Sequence, residues 1–298
     1  MKIGLIDVDG HNFPNLALMK LSAWHKLRGD AVELNGNNKY DKVYMSKVFT
    51  FSEDYKNKIY SSKIIKSGTG YKMYDNLPEQ IEHICPDYSL YNVENAYGFL
   101  TRGCFRKCSW CIVPKKEGEL KSHARLTEFI SNKKSAILLD NNVLASNWGL
   151  KQIEVAIDLK IKIDFNQGLD ARIIADNLDI AKLLSKVKWL KPLRMACDTN
   201  GQMGAVERAI RLLRKFKTVP SNYFIYVLVE DIPGAFERVE FLRNLKCDPF
   251  AQPYRSFENN EVDKKLKCFA RWVNHKAIFK SVLWSEYKPA IKLGINEW

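Results

Sequence analysis

Residues 223–252 read YFIYVLVEDIPGAFERVEFLRNLKCDPFAQ, and this stretch decides the predicted fold. The apolar run at 223–229 predicts a buried strand, the segment 233–244 predicts a helix, and the segment 248–252 predicts a second strand. Strand-like and helix-like segments alternate in the same way through the rest of residues 96–256. Alternation of this kind implies a parallel sheet with right-handed crossover connections.

Six strand–helix pairs are predicted from residue 96 onward. The predicted strands are 97–101, 135–140, 161–165, 192–197, 223–229 and 248–252. The predicted helices are 121–132, 149–157, 176–186, 202–215, 233–244 and 259–273. The fold class is therefore α/β, and the sheet is either open or curled into a partial (β/α)6 TIM-like barrel. In both arrangements ligands bind at the carboxyl ends of the strands.

The N-terminal segment predicts a small Rossmann-like domain that precedes the barrel. Its predicted strands are 3–8, 31–34, 42–46 and 62–66, and its predicted helices are 15–28 and 78–84. The charge balance changes near residue 95, which predicts domains at 1–95 and 96–256. Residues 257–298 predict a helical, basic C-terminal extension that carries Trp272, Trp284 and Trp298.

The positive charge is unevenly distributed along the chain. The net charge is +13, but residues 1–95 carry 12 basic and 12 acidic side chains, whereas residues 96–134 carry nine Lys or Arg against three Glu. A positive field favours an anionic substrate, including nucleic acid, and solvated surface charge explains it equally well. No apolar run approaches the roughly 18 residues of a membrane span, and no signal peptide is evident. We therefore expect a cytoplasmic protein without a membrane partner.

Three of the seven cysteines lie together in the segment Gly103-Cys104-Phe105-Arg106-Lys107-Cys108-Ser109-Trp110-Cys111. Without an export signal, clustered cysteines indicate metal or redox chemistry, and scattered ones are usually core residues. Three thiolates on one loop can converge on a cubane of four irons and four sulfides, which leaves one iron open. A zinc site is the alternative, but zinc takes four ligands, and the nearest candidates, Cys85 and His123, are not at a zinc-finger spacing.

This cysteine segment, just after the first strand of a sixfold strand–helix pattern, resembles the radical S-adenosylmethionine (radical SAM) superfamily. The aromatic Trp110 directly before Cys111 is part of the resemblance. The resemblance implies a 4Fe-4S cluster on Cys104, Cys108 and Cys111, with S-adenosyl-L-methionine chelated to the open iron. It also implies an external electron donor of the flavodoxin or ferredoxin type, and reductive cleavage of the cofactor to a 5′-deoxyadenosyl radical. The resemblance does not identify the substrate, and the positive charge of the chain suggests an anionic one, such as a nucleotide, a nucleic acid or a peptide.

The resemblance also suggests which residues bind the cofactor, namely the aromatic residue of the cysteine segment and polar residues at the strand ends. They are Trp110, Asp140, Asn141, Asn142, Asn166, Gln167, Asp170, Asp198 and Thr199. Helix capping and turn formation explain several of these positions equally well. Arg255, at the end of the sixth strand, would contact an anionic substrate or pair with a neighbouring carboxylate.

The N-terminal segment resembles a shortened cobalamin-binding domain of one branch of that superfamily. Asp9-Gly10-His11 occupies the place of the cobalt-ligating Asp-x-His, although Pro14 stands where a glycine is expected. One alternative function is therefore that of a cobalamin-dependent radical SAM methyltransferase. A second is a non-catalytic, metal-containing nucleic-acid-binding protein, in which residues 96–134 contact phosphates and the aromatic tail stacks on bases. Too few cysteines remain for a second cluster.

Overall fold

The structure is a computed structural model that describes residues 1–10, 13–216, 222–256 and 261–297. It is a mixed α/β structure with parallel sheets, so the predicted fold class is confirmed at that level. The chain divides into two compact units. The first unit contains Met1–Lys107 and Cys111–Ile137, and the second contains Cys108–Trp110 and the chain from Leu138 onward.

The first unit contains ten strands and four α-helices within the described ranges. The strands are β1 (Lys2–Asp7), β2 (Ala31–Leu34), β3 (Lys39–Tyr40), β4 (Lys42–Ser46), β5 (Tyr60–Ser61), β6 (Ile64–Ser67), β7 (Ala96–Gly98), β8 (Thr101–Arg102), β9 (Lys121–Ser122) and β10 (Ser135–Leu138), whose last residue belongs to the second unit. The helices are α1 (Leu16–Leu27), α2 (Glu79–Glu82), α3 (Val113–Lys116) and α4 (Leu126–Ile130).

The main sheet of the first unit has the order β2-β1-β4-β6, and all neighbouring strands are parallel. Alternating side chains of β1 are buried on opposite faces, with Ile3 and Leu5 in one core cluster and Ile6 in another. The amphipathic helix α1 adds Leu18 and Leu21 to the first cluster. The chain leaves β1 for β2 on one side and reaches β4 on the other, so the carboxyl ends of β1 and β4 form a switch point.

The strands β8 and β9 correct one prediction. Residues 121–132 do not form a single helix, because Lys121–Ser122 pair antiparallel with Thr101–Arg102 and the helix α4 begins only at Leu126. The ladder hydrogen bonds available to β9 outweigh its local helical preference, since two strands satisfy each other's backbone groups. The β8–β9 pair therefore holds the two ends of the segment that contains the clustered cysteines.

The second unit contains five further strands and eight α-helices in the described ranges. The strands are β11 (Lys162–Phe165), β12 (Lys188–Trp189), β13 (Leu193–Ala196), β14 (Tyr223–Val229) and β15 (Asp248–Pro253). The helices are α5 (Asn147–Asp158), α6 (Ala171–Ile174), α7 (Leu178–Lys186), α8 (Met203–Arg214), α9 (Ile232–Asn244), α10 (Lys264–Asn274), α11 (Lys276–Ser281) and α12 (Lys288–Lys292). All six strands predicted after residue 96 are therefore present, the first as the short strands β7 and β8.

Parallel pairing continues through the second unit. The strands β13, β14 and β15 form one sheet, β12 pairs with β11, and Leu169 bridges to Met195 in parallel. On β14, every second side chain from Tyr223 to Val229 is buried, while Phe224 and Tyr226 are half-buried on the opposite face. The sheet therefore has one face in the core and one face that is more open.

The aromatic residues of the C-terminal helices belong to a core. Trp272 is 0% exposed and Trp284 is 3% exposed, and Phe269 packs against both rings. The expectation that the C-terminal tail offers its aromatic rings for base stacking is therefore wrong for these two tryptophans, because burying such large rings stabilises the fold more than exposing them. Trp298 lies outside the described residues. Within the described ranges, no helix is long and apolar enough to span a membrane.

Candidate metal and cofactor site

The cysteine loop, residues 103–111, contains the three predicted metal ligands. Cys104, Cys108 and Cys111 are half-buried, and none of them forms a disulfide bond. The Sγ atom of Cys104 accepts a hydrogen bond from the backbone N–H of Arg106 at 3.4 Å. Trp110 is half-buried. In the part of the chain that the structure describes, no three His, Cys, Asp or Glu side chains already form a group that could hold a metal ion.

The start of the cysteine loop depends on Gly103. Its φ of +77° lies in the left-handed region, and a Cβ atom there would lie 2.1 Å from the carbonyl oxygen of Glu119. No side chain fits this position without moving the backbone. The N–H of the following Cys104 donates to the carbonyl of Gly118 at 3.2 Å. The backbone of Gly103 and the N–H of Cys104 are thus closely packed against residues 118–119.

Glu117 is a site residue that the sequence analysis missed. Its Oε2 accepts the N–H of Gly103 at 3.0 Å, and its Oε1 lies 3.1 Å from Nη2 of Arg102. Both side chains are well covered, with 10% of the Glu117 side chain and 19% of the Arg102 side chain exposed. Charge-assisted hydrogen bonds to a covered carboxylate are among the stronger ones, so Glu117 positions the first residues of the cysteine loop.

A second group of charges in the first unit surrounds His123. Glu82 lies 2.9 Å from Nζ of Lys20 and 3.2 Å from Nε2 of His123. Burial alone would raise the pKa of Glu82, but the hydrogen bond from His123 and the charge of Lys20 outweigh it, and the pKa falls to about 2. Burial lowers the pKa of Lys20 despite its carboxylate partner. The imidazole of His123 is therefore bound within an ion-pair network.

The other alternative zinc ligand, Cys85, is also engaged. Its thiol donates to the carbonyl of Phe129 at 3.9 Å, and burial raises its pKa, which favours the protonated form. Because metals bind the thiolate, both Cys85 and His123 would have to give up favourable interactions to complete a zinc site. These interactions favour a structural role for Cys85.

In the second unit, three of the predicted cofactor-binding positions lie at strand ends and carry polar groups. Nδ2 of Asn142, after β10, lies 3.4 Å from Oδ2 of Asp170, which follows β11. Asp170 also binds Arg172 in a bidentate manner, at 2.7 and 3.1 Å, and caps the N-terminus of α6. Burial raises the pKa of Asp198, after β13, and the N–H of Leu228 and the nearby arginines act in the opposite direction. Three strand ends thus contribute polar groups.

The remaining predicted positions differ in exposure, and two of them have contacts of a structural kind. Asp140 is buried, Asn141 is half-buried and Gln167 is exposed. The carbonyl of Asn166 accepts the hydroxyl of Tyr226 at 2.9 Å. Thr199 forms a capping box with Gln202 before α8, so the capping interpretation of Thr199 describes its contacts in the structure. Arg255 is half-buried after β15.

The predicted cobalt-ligating loop is only partly described. Asp9 accepts hydrogen bonds from the N–H groups of Val48 and Phe49, so its carboxylate has a structural role at the end of β4. His11 lies outside the described residues, and cobalamin binding stays a prediction. The turn at Gly68–Gly70 contacts α3 through a hydrogen bond from Nζ of Lys116 to Oγ1 of Thr69.

No protein-family model matches this sequence, and no curated protein is significantly similar to it. A functional assignment therefore depends on the residues of the chain and on their contacts.

Proposed function

We propose that this chain is a radical SAM enzyme in which Cys104, Cys108 and Cys111 hold a 4Fe-4S cluster. The observation that carries the proposal is the presence of three half-buried cysteines, none in a disulfide bond, in one short loop after the first strand of the alternating region. The substrate would be anionic, such as a nucleotide, a nucleic acid or an acidic peptide, since the chain carries a net charge of +13.

The donor chemistry of the loop fits an iron–sulfur cluster. Thiolates are the usual ligands of such clusters, and three of them leave one iron for the cofactor. The backbone N–H of Arg106 donates a hydrogen bond to Sγ of Cys104. Hydrogen bonds of this kind to ligand sulfurs tune the reduction potential of a cluster. Glu117 and Gly103 fix the backbone beside Cys104, which supports a defined backbone position for the first of the three ligands.

When bound, the reduced cluster would supply the electron that cleaves S-adenosyl-L-methionine to a 5′-deoxyadenosyl radical. The protein's own groups would bind and orient the cofactor and exclude water. In the second unit, we assign cofactor binding to the polar strand ends around Asn142, Asp170 and Asp198. Trp110 directly precedes the third cysteine in the sequence, and we assign it to the cofactor-binding residues as well.

The finer fold is part of the proposal. We infer that the parallel strand–helix units from residue 96 onward form a partial TIM-like barrel, and that the N-terminal sheet is a Rossmann-like domain. The order β2-β1-β4-β6, with its switch point, supports the second inference. Parallel strands with polar carboxyl ends in the second unit support the first.

Anaerobic reconstitution with iron and sulfide tests the function directly. We expect a brown protein with a visible charge-transfer band, and 5′-deoxyadenosine on reduction in the presence of the cofactor. Each of Cys104→Ala, Cys108→Ala and Cys111→Ala should abolish the band and the product. Cys85→Ala is the matched control, because Cys85 is also half-buried and outside any disulfide bond but lies outside the cysteine loop.

Two results would contradict the proposal. The first is a colourless native protein that instead retains stoichiometric zinc after the same treatment. The second is iron uptake in the three loop variants equal to that of the native protein, since that would make iron uptake independent of the loop.

A further inference from the structure

A basic and aromatic surface lies in the first unit, away from the cysteine loop in sequence. Residues 47–72 carry six lysines against Glu53 and Asp54, a net charge of +4. The neutral total for residues 1–95 hides this excess. Aromatic residues alternate with these lysines along the segment, which is the composition expected of a surface that contacts both phosphates and bases.

Three aromatic rings of this segment are exposed to solvent. Phe49 is 38% exposed, Phe51 is 47% exposed and Tyr60 is 46% exposed. The rings of Phe49 and Phe51 are stacked, with centroids 5.1 Å apart and planes 24° from parallel. We call Phe49, Phe51 and Tyr60 the aromatic patch. Two neighbouring flat rings open to water are costly for the free protein and indicate a surface that receives a partner.

The backbone under the stacked pair is held rigidly. Asp9 accepts the N–H groups of Val48 and Phe49, the latter at 3.3 Å. The N–H of Gly70 donates to the carbonyl of Lys47 at 2.9 Å, and a Cβ atom on Gly70 would clash with the carbonyl of Phe49. A surface that is already ordered loses less conformational entropy on binding, so the exposed rings are prepared to receive a ligand.

Lysine side chains accompany the aromatic rings. Nζ of Lys58 lies 5.1 Å from the centroid of Tyr60. Nζ of Lys66 lies 5.1 Å from the ring of Tyr71, and Nζ of Lys47 lies 5.6 Å from the same ring. An ammonium group within about 6 Å of a ring face is attracted to it. Lys58 thus lies beside a ring of the aromatic patch, whereas the exposed Lys66 and the buried Lys47 lie beside Tyr71 of the same segment.

The cysteine loop repeats this pairing on a smaller scale. Phe105 is 48% exposed, and the guanidinium carbon of Arg106 lies 4.5 Å from its ring centroid. By contrast, Trp272 and Trp284 of the C-terminal extension are buried. Among the residues that the structure describes, the most exposed aromatic rings therefore lie in the first unit.

We propose that the aromatic patch and its lysines bind single-stranded nucleic acid, with bases stacked on Phe49 and Phe51 and phosphates beside the lysines. A single strand fits better than a duplex, because only unpaired bases offer their faces to a ring. This binding function does not depend on the cluster. If the chain is also a radical SAM enzyme, the two sites together make a polynucleotide its substrate class.

Fluorescence anisotropy with a labelled oligouridine of about 16 nucleotides, the upper end of common site sizes, tests this inference on the full chain. We expect tighter binding to the single strand than to a duplex of equal length. The double variant Phe49→Ala, Phe51→Ala should weaken binding about tenfold or more, with an unchanged salt dependence, because stacking releases no counterions. Lys56→Ala with Lys58→Ala should make the slope of log affinity against log salt shallower by up to about 1.4, because each phosphate that a lysine no longer neutralises accounts for roughly 0.7.

The controls separate stacking from unfolding. Tyr74→Ala removes a ring of the same unit that is 68% exposed but lies outside the patch, and it should leave binding unchanged. Phe49→Leu with Phe51→Leu keeps apolar side chains but removes the flat rings, and it should weaken binding while the circular dichroism melt stays like that of the native protein.

Native affinity in both phenylalanine double variants would overturn the inference. So would binding to phosphatidylserine vesicles without binding to the oligonucleotide, since the patch would then be a membrane surface. Oligonucleotide binding by a protein that takes up no iron contradicts only the proposed enzyme function. Iron uptake with no oligonucleotide binding contradicts only the nucleic-acid site.

Discussion

Replacing Glu117 with alanine should loosen the start of the cysteine loop. The substitution removes the acceptor for the N–H of Gly103 and the partner of Arg102, at distances of 3.0 and 3.1 Å. A hydrogen bond to a charged group contributes about 1.5–3 kcal/mol, and a largely covered ion pair adds a smaller amount. We therefore expect local opening of the loop to become easier by about 2 kcal/mol, which corresponds to roughly 30-fold faster exchange of its amide hydrogens.

Hydrogen–deuterium exchange of peptides that cover residues 101–119 measures this effect. Glu117→Gln keeps an acceptor for Gly103 but loses the charge, so its exchange should lie between those of the native protein and Glu117→Ala. Glu119→Ala is the matched control, because the Glu119 side chain is exposed. Iron uptake should fall in the order native, Glu117→Gln, Glu117→Ala. Equal exchange in Glu117→Ala and Glu119→Ala would refute the positioning role of Glu117.

Three further predictions concern ion pairs. Because the folded-state pKa of Glu82 is about 2, below its ordinary 4.5, Glu82 stabilises the fold above about pH 5. Up to about 3 kcal/mol of the free energy of unfolding should be lost as the pH falls from 5 towards 2. In thermal melts, the stability of Glu82→Gln should depend less on pH than that of the native protein. Asp164 and Arg194 form a largely buried ion pair. Asp164→Ala should destabilise the protein by about 3–5 kcal/mol in urea melts, because it leaves the Arg194 charge buried and unpaired. Asp164→Leu with Arg194→Met should recover most of the stability. Asp170→Ala should weaken cofactor binding about tenfold in calorimetry without loss of iron, since one charge-assisted contact is worth about 1.4 kcal/mol. The control Asp179→Ala, at an exposed side chain, should leave cofactor binding unchanged.

The alternation of strands and helices was readable from the sequence because apolar periodicity reflects burial. The run at 223–229 became β14, whose alternate side chains are fully buried, and the segment 233–244 became α9. Turn residues marked the limits of most elements, so the strands shifted by only one or two positions. The polar residues Asn142 and Asp170 follow neighbouring predicted strands, and the structure brings them within 3.4 Å of each other.

Features that depend on distant pairing could not be read in the same way. Lys121–Ser122 became a strand because Thr101–Arg102 offered a partner, and no local pattern encodes that choice. Glu117 looked like one of three acids in a basic segment, and only its hydrogen bond with Gly103 reveals its role. The glycines at 103 and 118 on either side of the cysteines were the available signal for a closely packed loop.

The charge count of the basic segment 96–134 overstates the charge that a partner would meet. Its excess is six positive charges, but Arg102 is paired with Glu117 and Lys116 is half-buried beside Thr69. The exposed lysines Lys107 and Lys115 remain near the cysteines. Conversely, the excess of +4 at residues 47–72 is averaged away in a neutral N-terminal total, although Lys47 in this segment is buried and Lys72 is paired with Asp75. Because screening in physiological salt limits exposed charges to about 8 Å, a polyanion responds to such local groups and not to regional sums. The aromatic patch combines lysines with rings that a base can cover. We therefore expect a polyanion that carries bases to bind there in preference to a basic segment without such rings.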